Sequence, residues 1–390
     1  MAVTARPLDG VTVVSLEQAI AAPYCTRLLA DLGARVIKIE RPGTGDFARA
    51  YDTRANGLAS HFVWCNRSKE SVALDLKKPG AVDAVKALLR TADVFVQNLA
   101  PGAAGRMGLG GEDLRVLNPQ LIVCNISGYG AGGAWSDRKA YDLLIQAEAG
   151  FLSITGPRDE PAKAGISIAD ISAGVSAANA ILAALVLRAR THEGTTLDIS
   201  MLETMAEWMG YPLYYAYEGA PPPPRAGAGH ATIYPYGPYR TADGTVLFGL
   251  QNDREWKAFA SLVLLRPDMA GDERFAGNHG RNAHRDVIEP VIVETFARLG
   301  TQEAIARLES AGIGTARVNE MADVWDHPQL RERGRWTTIG SPAGELKALR
   351  PISGEAWEPR MDPVPALGAD TARVLAGIGL SPVEIERIST

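Results

Sequence analysis

Cysteine is scarce, with Cys25, Cys65 and Cys124 the only three in 390 residues. An odd number without paired spacing leaves no disulfide framework and no zinc motif, and reads as packed, reduced thiols of a cytosolic protein. The opening MAVTARPLDG lacks the apolar core of a signal peptide, so cytoplasm is the expected compartment. Uninterrupted apolar runs are missing as well. The most apolar stretch, Ile171 to Leu187, is punctuated by Ser172, Gly174, Ser176 and Asn179, and reads as a buried small-residue helix, not a membrane span. Nor is there an excess of one charge: 40 Lys+Arg against 45 Asp+Glu give −5. That balance argues against a nucleic-acid partner, and an anionic ligand would have to be met by local cations. The six histidines, at 61, 192, 230, 279, 284 and 327, show no metal-ligand spacing, and no metal is expected. There is no G-x-x-x-x-G-K-[ST] phosphate loop and no G-x-S-x-G nucleophile elbow.

What is present is an ordinary globular composition, 46% hydrophobic and 22% charged, over a length that suggests two domains. The first 200 residues alternate short β-branched runs with helical patterns, the signature of parallel βαβ units. Strands are expected at 11–16, 35–40, 71–75, 94–98, 121–126 and 195–200. Helices are expected at 21–32, 81–91, 142–150 and 170–190. Four prolines at 221–224, followed by Arg225-Ala-Gly-Ala-Gly, cannot be helix or central strand. The expected plan is a large α/β domain of Rossmann-like parallel sheet from 1–200, a linker from 201–225, and a smaller α+β domain from 226–325. Residues 326–390 then form a linker and a C-terminal return to the large domain.

Two motifs need weighing. Gly43-Thr-Gly45-Asp-Phe-Ala48 satisfies G-x-G-x-x-A after a strand, but the residues that follow have no apolar helical period, and a pyrophosphate needs a helix N-terminus. It reads as a turn. Asp170, after a proline-containing loop, opens the long Ala-rich segment. It can be an N-cap, a nucleophile, or both, because a carboxylate at a helix start is favoured in its ionised form.

From Pro7 onward the chain resembles the class III CoA-transferases of the CaiB/BaiF, formyl-CoA-transferase-like type. The matching pieces, in order, begin with Pro7-Leu-Asp-Gly-Val-Thr-Val-Val, Ala21-Ala-Pro23 and the run from Leu32 through Glu40-Arg-Pro-Gly-Thr-Gly-Asp46. Asn66-Arg-Ser-Lys through Asp75, Gln97-Asn-Leu-Ala-Pro-Gly102, Arg106-Met-Gly, Ile126-Ser-Gly-Tyr-Gly130, Ala140-Tyr-Asp142 and the Asp170 segment follow. The resemblance implies that Asp170 is a nucleophile carrying mixed-anhydride and aspartyl-CoA thioester intermediates. It implies CoA contacts at Arg41, Leu74, Lys77, Asn98, Leu99, Arg106, Lys139 and Tyr141. It also implies no permanently bound cofactor, a coenzyme A thioester as substrate, and an interlocked homodimer with no membrane partner.

The same fold serves α-methylacyl-CoA racemases, the alternative reading. Racemases place a His base in a Gly-His-Asp segment, where this chain has Tyr141, and a tyrosine of ordinary pKa, about 10, is a poor base at neutral pH. Oxalate-specific transferases have a Gln where this chain has Ile20, so Ile20 marks the acid-binding side. The segment from Gly227 to Tyr239 resembles members that use succinyl-CoA with C4–C6 dicarboxylic acids, and makes His230 or Arg240 candidates for the distal carboxylate.

Overall fold

The computed structural model describes residues 5–354 and 356–390. The β-branched runs form a six-stranded, all-parallel sheet. Its strands and helices begin β1 (Thr12–Leu16), α1 (Ala21–Asp31), β2 (Arg35–Glu40), α2 (Ser60–Asn66), β3 (Lys69–Ala73), α3 (Ala81–Leu89), β4 (Val94–Gln97) and α4 (Gly111–Leu117). They continue β5 (Ile122–Ser127), α5 (Asp142–Glu148), α6 (Ile168–Thr191), β6 (Thr196–Ser200) and α7 (Met201–Trp208). The order β3-β2-β1-β4-β5-β6 is the doubly wound arrangement, in which the strand order reverses between β1 and β4 and ligands bind beyond the carboxyl ends there.

The central strands are apolar because both faces are covered: Val13, Val14, Val94, Phe95, Val96, Ile122 and Val123 are all inaccessible. β2 departs from that rule. Ile37 and Ile39 enter the apolar core, while Lys38 and Glu40 alternate with them and are also buried. Such charges survive only when paired.

The chain divides into two compact units, one of Met1–Ala149, Ala164–Gly210 and Gln329–Thr390, the other of Gly150–Lys163 and Tyr211–Pro328. The second is mixed α and β, as expected. It holds the antiparallel sheet β7 (Tyr236–Arg240), β8 (Thr245–Gly249) and β9 (Thr315–Arg317) with α8 (Arg285–Ala297) and α9 (Thr301–Ser310), around a core in which Phe248 stacks on Phe296 at 5.2 Å. In the first unit, β10 (Trp336–Ile339) and β11 (Leu346–Leu349) form a hairpin, and α10 (Thr371–Ala376) and α11 (Pro382–Ser389) close the chain. Their Val374, Leu375, Ile385 and Ile388 join the sheet core. Asp370 and Ser71 exchange backbone and side-chain hydrogen bonds of 3.0 Å at edge strand β3, which covers that edge.

Three local expectations need correcting. β3 begins two residues earlier than the sequence suggests, because Lys69 is a strand residue whose buried ammonium meets Glu17 at 2.7 Å. α6 begins at Ile168. Residues 201–208, within the stretch read as linker, form α7, whose N-cap Ser200 accepts the Glu203 N–H.

Candidate active site

α6 carries Ala169, Ala173, Gly174, Ala177 and Ala178 on its buried face, and this small-residue stripe packs against α1. The approach is closest at Gly174, where a Cβ would stand 2.7 Å from the Ala21 carbonyl oxygen and 3.1 Å from the Tyr24 ring. One turn earlier on the same face is Asp170. The close crossing turns its carboxylate toward the backbone N–H of Ala21, which favours the ionised form; Ala21 is the first residue of α1. α1 has no side-chain cap of its own: Ile20 occupies its N-cap position and is buried. Asp170 therefore supplies from another helix the acceptor that α1 lacks, and faces the positive end of its dipole. This corrects the N-cap reading, since Asp170 is the third residue of α6, whose own N-cap is Ser167.

The second correction concerns charge. Burial, together with the neighbouring Asp142 carboxylate, raises Asp170 from the ordinary carboxylate range to about 7, against the lowering effect of the Ala21 N–H. Asp142 is held in place: its Oδ1 accepts the Ala169 N–H at 2.8 Å and its Oδ2 accepts Gln146 Nε2 at 2.6 Å. Buried Gln146 in turn accepts the Ala164 N–H at 2.9 Å. Half-buried Asp170 therefore titrates near neutrality, a strongly perturbed carboxyl of the kind that marks functional sites.

Tyr51 joins this site without any motif to announce it. Its hydroxyl is pushed up by burial and then by the nearby Asp46, Asp170 and Tyr141. The ring packs edge-on to His61 at 5.6 Å and near Phe47 at 5.8 Å. Tyr141, exposed, precedes Asp142 at the start of α5. The structure thus gathers Ile20, Tyr141 and Asp170, and adds Tyr51 and Asp142.

The other expected residues follow the carboxyl ends of strands. Arg41 follows β2, Leu74 and Lys77 follow β3, Asn98 and Leu99 follow β4, and Lys139 lies in the loop after β5. Arg106 follows at the end of a short turn of helix, 3.4 Å from the Pro101 carbonyl oxygen. Arg41, Lys77, Arg106 and Lys139 are exposed. Leu74 is buried in the sheet core, and the Leu99 N–H is taken by Gln97 Oε1 at 2.8 Å. The Asn98 amide clamps the backbone of Gln18, accepting its N–H and donating to its carbonyl, both at 2.9 Å.

His230 and Arg240 belong to the second unit. His230 Nδ1 accepts the N–H groups of Thr232 and Ile233 at 3.1 and 3.0 Å, which puts the proton of the neutral ring on Nε2. The ring stacks on Tyr236 at 5.3 Å and lines a cavity of about 750 Å³ shared with Arg158, Arg225 and Arg285. Arg240, exposed at the end of β7, is not part of that wall.

A family model described as CoA-transferase family III matches residues 8–371. A succinate–glutarate CoA-transferase of Agrobacterium fabrum is 34% identical over 98% of this chain and 98% of its own length. A succinyl-CoA:mesaconate CoA-transferase of Haloarcula hispanica is 34% identical over 87% of each. Among solved structures, a CaiB/BaiF family protein from Brucella suis superposes with a TM-score of 0.86 at 32% identity, covering 96% of this chain and 99% of that one.

Proposed function

The chain belongs to CoA-transferase family III, and from that membership we propose that it moves CoA from succinyl-CoA to a C4–C6 dicarboxylic acid through Asp170. The observation that carries this reading is the position of the Asp170 carboxyl, half-buried beside Asp142 and set against the first turn of α1, where burial pushes it up to about 7.

The ionised carboxylate attacks the donor thioester carbonyl, forming a mixed anhydride and releasing CoA thiolate. The thiolate attacks the aspartyl carbonyl of that anhydride, giving an aspartyl-CoA thioester and the free donor acid. The acceptor carboxylate then attacks the thioester, and the released thiolate takes the acceptor acyl group, restoring Asp170. Each exchange conserves one activated acyl bond. The first turn of α1 offers few donors, because Pro23 has none and the Tyr24 N–H already meets Ile20 oxygen at 2.7 Å. With Ala21 on Asp170, the Ala22 N–H is the donor we assign to the tetrahedral oxyanion.

Arg41, Lys77, Arg106 and Lys139 are assigned to the phosphates of CoA, as exposed cations at the ligand-binding edge of a doubly wound sheet. His230, with Nε2–H as donor, is assigned to the distal carboxylate of the acceptor. The relatives named for glutarate and mesaconate support a dicarboxylic acid. A homodimer belongs to the same proposal. α6 leaves Val175 and Val186 exposed, about three turns apart on one side of the helix and suited to a second copy, and the compartment we assign is the cytoplasm.

Intact-protein mass spectrometry after incubation with succinyl-CoA and hydroxylamine tests the mechanism. The expected result is a hydroxamate mapped to Asp170 and absent from an Asp170→Asn variant. No modification with any acyl-CoA, together with α-proton exchange into deuterated water, would replace the transferase by a racemase.

A further inference from the structure

The glycine-rich Gly43-Thr-Gly45-Asp46-Phe-Ala48 turn holds no helix N-terminus toward a nucleotide; it turns a carboxylate inward. Asp46 is fully buried and caps a short 3-10 turn, Phe47–Ala50, through Oδ1 and the Ala48 N–H at 2.9 Å. Its own N–H goes to Glu40 Oε2 at 2.9 Å. Gly45 has φ 66°, which favours glycine, and a Cβ there would stand 2.8 Å from Arg49 Cδ and 2.9 Å from Glu40 Oε2, pressing on this pair.

Asp46 ends a chain of buried charges. Lys69 Nζ meets Glu17 Oε1 at 2.7 Å, Lys38 Nζ lies 3.3 Å from the same oxygen, and Lys38 Nζ meets Asp46 Oδ2 at 2.7 Å. Arg49 meets Glu40 at 2.7 Å. Glu17, Glu40 and Asp46 are thus balanced by Lys38, Lys69 and Arg49, so that each buried carboxylate has a cationic partner. Thr26 donates to Glu17 at 2.6 Å, and Lys69 donates to the Pro23 carbonyl oxygen at 2.9 Å. Both contacts land on the first turns of α1.

The remaining Asp46 contact is the informative one. Oδ1 also accepts the Ala19 N–H at 3.0 Å, and Ala19 has φ 62°, a left-handed conformation that costs a non-glycine residue free energy. Ala19 is the last residue before Ile20 and α1. The strained turn decides in which direction the first N–H groups of α1 point, and Ala21 is the one on Asp170.

We propose that Asp46 is a positioning residue for the nucleophile, holding Ala19 left-handed so that the first turn of α1 presents its N–H groups to Asp170. The role rests on the reading of Asp170 as the nucleophile. Asp46 touches no reacting atom; it acts through Ala19 and α1.

The test follows the rate of hydroxylamine-trapped Asp170 adduct at saturating succinyl-CoA, its half-saturating concentration, and the pH midpoint of trapping. The charged and titratable groups around Asp46 (Lys38, Glu17, Lys69, Glu40, Arg49 and Tyr51) are left in place. Asp46→Ala, which removes the acceptor of the Ala19 N–H, is expected to slow trapping on the order of tenfold, to leave half-saturation unchanged, and to raise the midpoint. Ala19→Gly, which adopts the turn without strain, is expected to restore most of the rate in the same chain. Ala19→Val disturbs the turn while keeping every charge, and should reproduce the slow rate and raised midpoint even if Asp46→Ala does not fold. Parental rates in Ala19→Val, or no recovery by Ala19→Gly in a folded double variant, overturn the positioning role. An unmodified parent chain would instead remove the nucleophile itself, and the positioning role with it.

Discussion

Replacing Asp142 by Asn is the most discriminating perturbation of the site. Asn can still accept the Ala169 N–H through Oδ1, so the start of α6 keeps its anchor while the negative charge beside Asp170 disappears. Burial is the larger reason that Asp170 sits near 7, and the Asp142 charge the second. Removing the second should lower the Asp170 pKa by roughly one unit, about 1.4 kcal/mol. Adduct formation needs the ionised carboxyl, so its pH profile should move to lower pH by about the same amount. At pH 7 the ionised fraction rises from about one half to about nine tenths, and at pH 6 from about one tenth to about one half. Trapping by hydroxylamine should therefore be about fivefold faster at pH 6 but less than twofold faster at pH 7. The lost Gln146 contact is a separate effect of about 1 kcal/mol in thermal unfolding. An unmoved profile, or one moved to higher pH, would refute the coupling.

Asp170→Asn should stabilise the fold in a pH-dependent way. The native carboxyl binds its proton more tightly than the unfolded one, so wild-type stability falls as pH rises from about 4 to about 7. The variant should gain nothing near pH 4 and roughly 1–3 kcal/mol above pH 7, read by denaturant titration at both. Gly174→Ala must push α1 from α6, given 2.7 Å to the Ala21 oxygen; a loss of about 1–3 kcal/mol and a strongly reduced trapping rate are expected, against no change if the crossing is slack. Arg41→Gln with Arg106→Gln should raise the half-saturating acyl-CoA concentration roughly tenfold at low salt, with the gap narrowing as ionic strength rises. An equal effect on turnover at saturation would contradict phosphate binding.

The strands were legible because a doubly covered parallel strand leaves a β-branched run that nothing else imitates. β3 escaped that rule at Lys69 and Glu70, since two charged letters look like a loop until Glu17, far off in sequence, is seen to neutralise Lys69. Lys38, equally buried, did not hide β2, because Val36, Ile37 and Ile39 surround it. Asp170 was visible through its flanking loop and family resemblance, but not its protonation, which depends first on burial and then on a carboxylate 28 residues upstream. Tyr51 carried no signal at all, because one tyrosine in a polar stretch has no periodicity. The joining of residues 150–163 to the second unit was equally hidden, being a property of contacts and not of local composition.

α6 also bears on how the chain is made. A 24-residue helix with a mean hydropathy of 1.7 over its most apolar window passes the length and composition test for a membrane span, so as a nascent segment it is a candidate for the wrong machinery. The surfaces it packs on, α1 and β5, lie upstream, and β6 and α7 follow it directly. Synthesis from the N-terminus therefore delivers the docking platform before the segment that needs it. A circular permutant opened between Asn118 and Pro119 would reverse that order for α1, leaving the final contacts intact but exposing α6 on the ribosome while its main partner is still unmade.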